Sequence, residues 1–170
     1  MKNKTKKLRV PLRYLPKSLS LKERKKQLNM LIKSRKQYKK SKYFTRKKLS
    51  SYKSKKSKHL TNVRNIYNID KVGATYELSK ATGCSKKSLT DIIRKGEGAY
   101  YSSGSRPNQN AQSWGIARLA SAITSGKAAV IDYKILEQGC KSNSIALKMA
   151  KDAIKKYGNT VRHAPKTSVT

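Results

Sequence analysis

From Arg24 to Ile69 the chain runs for 46 residues with seventeen Lys or Arg and no carboxylate. Such a segment cannot neutralise itself, so its partner is expected to be a polyanion or the acidic face of another protein. The imbalance is uneven. Residues 1–70 carry 25 basic and 2 acidic side chains, and residues 71–170 carry 17 and 6, so +23 of the formal +34 lies in the first part. That is the pattern of a basic arm attached to a folded module.

A chain of 170 residues has room for one ordinary domain, or for a small domain plus an arm. The expected division is a basic arm over 1–62 with one helix near 20–40, a small helical domain over 63–158, and a polar tail over 159–170. The arm has too few apolar residues for a core of its own, and single-sign repulsion opposes its collapse, so it is expected to stay extended until a partner neutralises it. Cys84 and Cys140 have no motif spacing and are read as two reduced, partly buried thiols rather than a disulfide. With only His59 and His163 besides, no structural zinc is expected, and no cofactor. No apolar run approaches the roughly eighteen residues of a membrane span. The basic N-terminus lacks the apolar stretch of a signal peptide, so a soluble, reduced protein is expected.

Pro11 and Pro16 favour extended backbone around them. Ser20-Leu21-Lys22-Glu23 reads as a capping box opening a helix, on which Leu21, Leu28, Leu31, Ile32 and Tyr38 form a thin apolar stripe. Residues 41–58 are low-complexity Lys/Ser text with Tyr43, Phe44 and Tyr52 interleaved, where little regular structure is expected. Val63, Ile66, Tyr67 and Ile69 read as a short helix or hinge into the second half. There the spacing predicts a short helix over 75–82 ended by Gly83, and a second over 86–95, capped by Ser85 and closed by Gly96. A loop is predicted over 96–107, then a third helix opened by Asn108 or Asn110 and running to about Thr124. Asp132 is a candidate cap for a short turn, and Ser144 for the last helix, which Gly158 ends. No strand signal is comparable, so the expected fold class is all-α.

The basic arm with interleaved aromatics is the strongest functional signal. Lysine and arginine neutralise phosphates and release counterions, and tyrosine rings offer stacking faces to unpaired bases. Candidate polyanion-binding residues are Lys25, Lys26, Arg35, Lys36, Lys39, Lys40, Arg46, Lys47, Lys48, Lys55 and Lys56. DNA, RNA, an anionic membrane surface and an acidic protein all satisfy the same physics. Thr75–Lys95 has the outline of a helix-turn-helix, but its second helix lacks the Asn, Gln and Arg cluster that reads base edges, so it is read as an ordinary helical hairpin. In the glycine-containing loop, Tyr100, Tyr101, Ser103 and Arg106 are candidate anion contacts, against the alternative of a structural loop whose tyrosines pack with Trp114. No general base or carboxylate pair accompanies the loop, its glycines do not fit GxGxxG, and no catalytic residue is assigned.

The stretch GEGAYYSSGSRPNQNAQSWGIARLASAITSGKAAVIDYKIL (Gly96–Leu136) resembles a domain of unknown function that recurs in large DNA viruses of the phycodnavirus and mimivirus kind. The segment Arg13–His59 resembles the basic segment that accompanies it, and similar text occurs in head proteins of some tailed phages. The resemblance implies a virus-encoded, virion-associated protein and carries over no activity. The expectation is a non-catalytic virion structural protein, a minor capsid or capsid-lining component on the capsid interior, with capsid proteins as partners. The alternative is a nucleic-acid-binding protein that condenses or packages the genome.

Overall fold

The computed structural model describes residues 8–158 and 166–169. Among them are eight helices: α1 (Leu21–Tyr38), α2 (Lys58–Tyr67), α3 (Tyr76–Thr82), α4 (Lys86–Ser102), α5 (Ala111–Ala122), α6 (Lys127–Ile131), α7 (Tyr133–Gly139) and α8 (Ile145–Tyr157). The protein is therefore mainly helical, as the periodicity predicts. One small sheet was not anticipated: β1 (Leu8–Pro11) pairs antiparallel with β2 (Lys166–Val169), Val10 opposite Thr167. Four-residue strands carry too little alternation to be read locally, and β2 falls where a polar tail is expected.

Helix starts follow the local chemistry. The side chains of Ser20, Thr75, Ser85, Asn110 and Ser144 each accept a backbone N–H three residues on. Such a cap contributes about 1 kcal/mol. Asp132 does not cap α7. It is wholly buried instead, taking a bidentate pair from Arg118 (2.7 and 2.8 Å) and the ammonium of Lys95 at 2.7 Å.

Gly96 does not close a helix either. α4 runs through it to a total of 17 residues, and the predicted loop begins only after Ser102. The glycine serves packing: a Cβ on Gly96 would lie 2.6 Å from the Cα of Gly115, and one on Gly115 would lie 2.6 Å from the carbonyl oxygen of Ile93. α4 and α5 thus cross backbone to backbone, which only glycine permits. Leu89, Ile92, Leu119 and Ile123 fill the core on either side, joined by Val63 of α2, Leu78 of α3, Leu136 of α7 and Leu147 of α8.

The two cysteines form a disulfide, contrary to the reading of reduced thiols. Cys84 and Cys140 face each other in an isolated antiparallel bridge, flanked by Ser85 N–H donating to Gly139 and Lys141 N–H donating to Gly83. A pairing across 56 positions is invisible to spacing rules. The bridge brings α7 onto the first turn of α4, where a Cβ on Gly139 would collide with Ser88.

The basic first part is packed onto this body rather than extended from it. Val10, Tyr14, Leu15 and Leu31 form one cluster, against which Trp114 of α5 packs, and Leu19, Met30 and Leu49 form another with Phe44 and Tyr52 at its edge. Residues 43–49 form no helix or strand, yet they are pinned. The side chain of Asn108 accepts from Leu49 N–H at 2.7 Å and donates to the carbonyls of Leu49 and Tyr52. Burying a leucine such as Leu49, 1 % exposed, contributes about 1.5–3 kcal/mol. That is how a segment of this charge folds: its few apolar side chains pack on one another across α1, and Trp114 and Asn108 tie them to the second part.

Candidate polyanion-binding surface

Within residues 24–69 Arg35 and Arg46 form an inner set of cations and the exposed lysines an outer one. The inner set caps α4. A helix ends in carbonyls without intrahelical partners and carries the negative end of its dipole, so cations settle there. Arg46 is 6 % exposed; its Nη1 donates to the carbonyl of Tyr100 at 2.9 Å and to Ser34 Oγ at 3.1 Å, and its Nη2 donates to Ser105 Oγ at 2.7 Å. Its backbone N–H donates to the Tyr100 hydroxyl at 2.9 Å. Arg35 places Nε and Nη2 on the carbonyl of Ser103 at 3.1 and 2.7 Å, and Ser34 donates to that of Tyr101. Burial lowers the pKa of both guanidinium groups from the ordinary arginine value, opposed at Arg46 by Tyr100 and at Arg35 by Tyr14. Arg46, a candidate anion contact by sequence, is therefore a structural residue, and half-buried Arg35 shares that duty.

Tyr100, a candidate loop contact, is fully buried on α4. Ser103 is exposed but its carbonyl is held by Arg35, and Arg106 is exposed on the loop that follows. Ser105 and Asn108 lock the basic segment to that loop, and Asn108, a candidate helix cap by sequence, leaves the capping of α5 to Asn110.

The outer set is lysine. Lys22, Lys26, Lys33 and Lys36 recur at helical spacing on the solvent face of α1, all exposed. The first three border a groove of about 430 Å³ whose walls carry Lys22, Lys25, Lys26, Lys33 and Lys47, with Asn29, Met30 and Phe44 between them. Among the described residues no carboxylate lines it. Lys47 N–H donates to Met30 Sδ, which fixes the outer wall, and the Lys33 ammonium lies 4.5 Å from the Phe44 ring centre. The one carboxylate of α1, Glu23, is held elsewhere: Ser50 and Ser51 each donate a backbone N–H and a hydroxyl to it. Ser20 N–H donates to Ser51 Oγ rather than to Glu23, so only half of the predicted capping box forms. The Ser51 and Ser50 bonds hold the Glu23 carboxyl down at about 2.

Lys39, Lys40 and Lys48 are exposed beyond the groove, and Lys55 and Lys56 lie further along the chain. Lys56 borders a second hollow with Lys71 and the Arg64–Asp70 ion pair. The sequence candidates thus include Lys25, Lys26 and Lys47 of the groove, omit Lys22 and Lys33, and mix the two structural arginines among them.

At the far end of α1 three tyrosines meet. Lys42 N–H donates to the carbonyl of Gln37 and Ser41 N–H to that of Tyr38, with Ser41 left-handed at φ 55°, which is the Schellman ending of a helix. The turn brings Tyr43 back against Tyr38 (ring centres 6.2 Å apart) and Tyr101 (5.1 Å), while Tyr38 and Tyr101 lie parallel within 7° at 6.4 Å.

Among the described residues no helix is long and apolar enough to cross a membrane, and no cluster of three His, Cys, Asp or Glu could hold a metal ion. What the fold and this surface define is a small helical protein with a preformed lysine groove. Residues 11–138 match a family of unknown function, DUF5824, and the chain belongs to that family. The match runs through the lysine-rich segment into the helical body. No curated protein and no solved structure matches the chain.

Proposed function

We propose that this chain is a non-catalytic nucleic-acid-binding protein that neutralises a phosphate backbone along α1, and that it acts inside a virion. The observation that carries the binding reading is the groove of five lysines without a carboxylate in its lining. Lysine ammonium groups are compact, strongly hydrated point charges, suited to phosphates in any sequence and poor at reading base edges. The cost of ordering the basic segment, which would otherwise require a surrounding shell, is met by contacts within the chain: the Arg46 clamp, Leu49 and Asn108. The virion setting rests on the resemblance of Gly96–Leu136 to a domain of large DNA viruses.

The test is the salt dependence of DNA binding. Log affinity falls with log salt at a slope of about −0.9 per neutralised phosphate, so replacing Lys25, Lys26, Lys33 and Lys47 by Gln is expected to flatten the slope by up to about 3.6. An unchanged slope, or no binding by the parent protein at low salt, overturns the reading.

The exposed Ile131, Ile145 and Ile154 on α6 and α8 favour a second reading, a minor capsid or capsid-lining component whose lysines face acidic capsid proteins. Gentle disruption of virions separates the two: a genome binder leaves with the nucleic acid, and a capsid component stays with empty shells.

A further inference from the structure

We infer that the corner formed by Tyr38, Tyr43 and Tyr101 stacks unpaired bases, so that the chain selects single-stranded nucleic acid over duplex. The inference rests on the nucleic-acid reading above and adds which form is bound. Tyr43 is 68 % exposed, whereas its neighbour Tyr100 is fully buried. An aromatic ring left in water is ordinarily mobile, but Tyr43 is fixed by the turn at Ser41 and by edge contacts with two rings. A fixed, exposed aromatic surface is what an unstacked base needs, and base–aromatic stacking tolerates every base because each has a π-face.

The electrostatics around the corner agree. Lys39, Lys40 and Lys42 are exposed beside the rings, and no acidic residue lies between Arg24 and Ile69. The nearest carboxylate in sequence on α4 is Glu97, one turn before Tyr101, and its side chain packs towards Gly115 on α5. From Lys22 to Tyr38 the helix rises about 24 Å, so groove and corner can serve one strand. Duplex DNA has its bases already stacked in pairs and offers this corner only sugar and phosphate. Charge density alone favours duplex, so a preference for the strand is diagnostic of stacking.

The experiment measures binding of the full chain to labelled oligothymidylate, to duplex of equal length and to an abasic strand, by fluorescence anisotropy at fixed salt. The parent protein is expected to prefer the thymidylate strand to both others. Tyr43→Ala is expected to weaken binding of that strand by about tenfold, leaving duplex and abasic strand unchanged, while Tyr43→Phe keeps the preference. Far-ultraviolet circular dichroism confirms that each variant is folded. Equal loss on all three probes, or no loss on any, overturns the stacking inference while the lysine reading stands. A parent protein that binds none of the three overturns both.

Discussion

Arg46 lies over Tyr100, its guanidinium carbon 3.7 Å from the ring centre, and the same guanidinium donates to the carbonyl of that residue. A buried cation normally answers to a carboxylate. Here the counter-charge is the negative end of α4 together with the face of an aromatic ring. A run of sequence without acids can therefore hold a cation inside, because backbone carbonyls supply what side chains do not.

Removing that guanidinium strands the Tyr100 carbonyl and takes a donor from the Ser34 and Ser105 hydroxyls, which keep their own bonds to the carbonyls of Tyr101 and Arg106. Arg46→Ala is expected to lower stability by about 2–4 kcal/mol. Arg46→Lys should recover only part of this, since an ammonium cannot span Tyr100 and Ser105 together. Urea denaturation gives the free energies. DNA affinity of the folded variant should match the parent, because Arg46 does not reach the surface.

Glu23 sets a pH dependence. Its carboxyl sits at about 2 when folded against an ordinary 4.5, so the folded form is favoured by its ionisation above pH 4.5. That contribution is lost as pH falls from about 4.5 through about 2. The urea midpoint of the parent should decline over this window more steeply than that of Glu23→Gln. Parallel declines would show that Ser50 and Ser51 do not hold the carboxylate in solution.

The disulfide closes a loop spanning 56 positions, which corresponds to about 4 kcal/mol in a chain-entropy account. Reduction, or joint replacement of Cys84 and Cys140 by Ser, should lower the melting temperature by about 8–16 °C. Calorimetry with and without reductant measures this, and the double serine variant should no longer respond to reductant.

How far the sequence speaks for itself depends on the range of each interaction. Ser85, Asn110 and Ser144 cap the helices they were expected to cap, because the partner of a cap is three residues away. Gly96 was misread because a glycine can end a helix or let another backbone approach, and the choice was made by Gly115, nineteen positions on. Arg46 looked like its lysine neighbours because its partners lie on α4 and the loop after it, more than fifty positions away apart from Ser34. The disulfide and the β1–β2 pair were missed for the same reason. Of the groove lysines, Lys25, Lys26 and Lys47 are among the sequence candidates and Lys22 and Lys33 are not, because Lys47 meets α1 only through the turn after it.

The inner cations are guanidinium groups and those of the groove are amines, which has a chemical consequence. Acetylation neutralises Lys25, Lys26, Lys33 and Lys47 but does not touch Arg35, Arg46 or Arg118. On the proposed function, phosphate binding and most of the architecture thus belong to two reactivities, the exception being Lys95, whose ammonium meets buried Asp132.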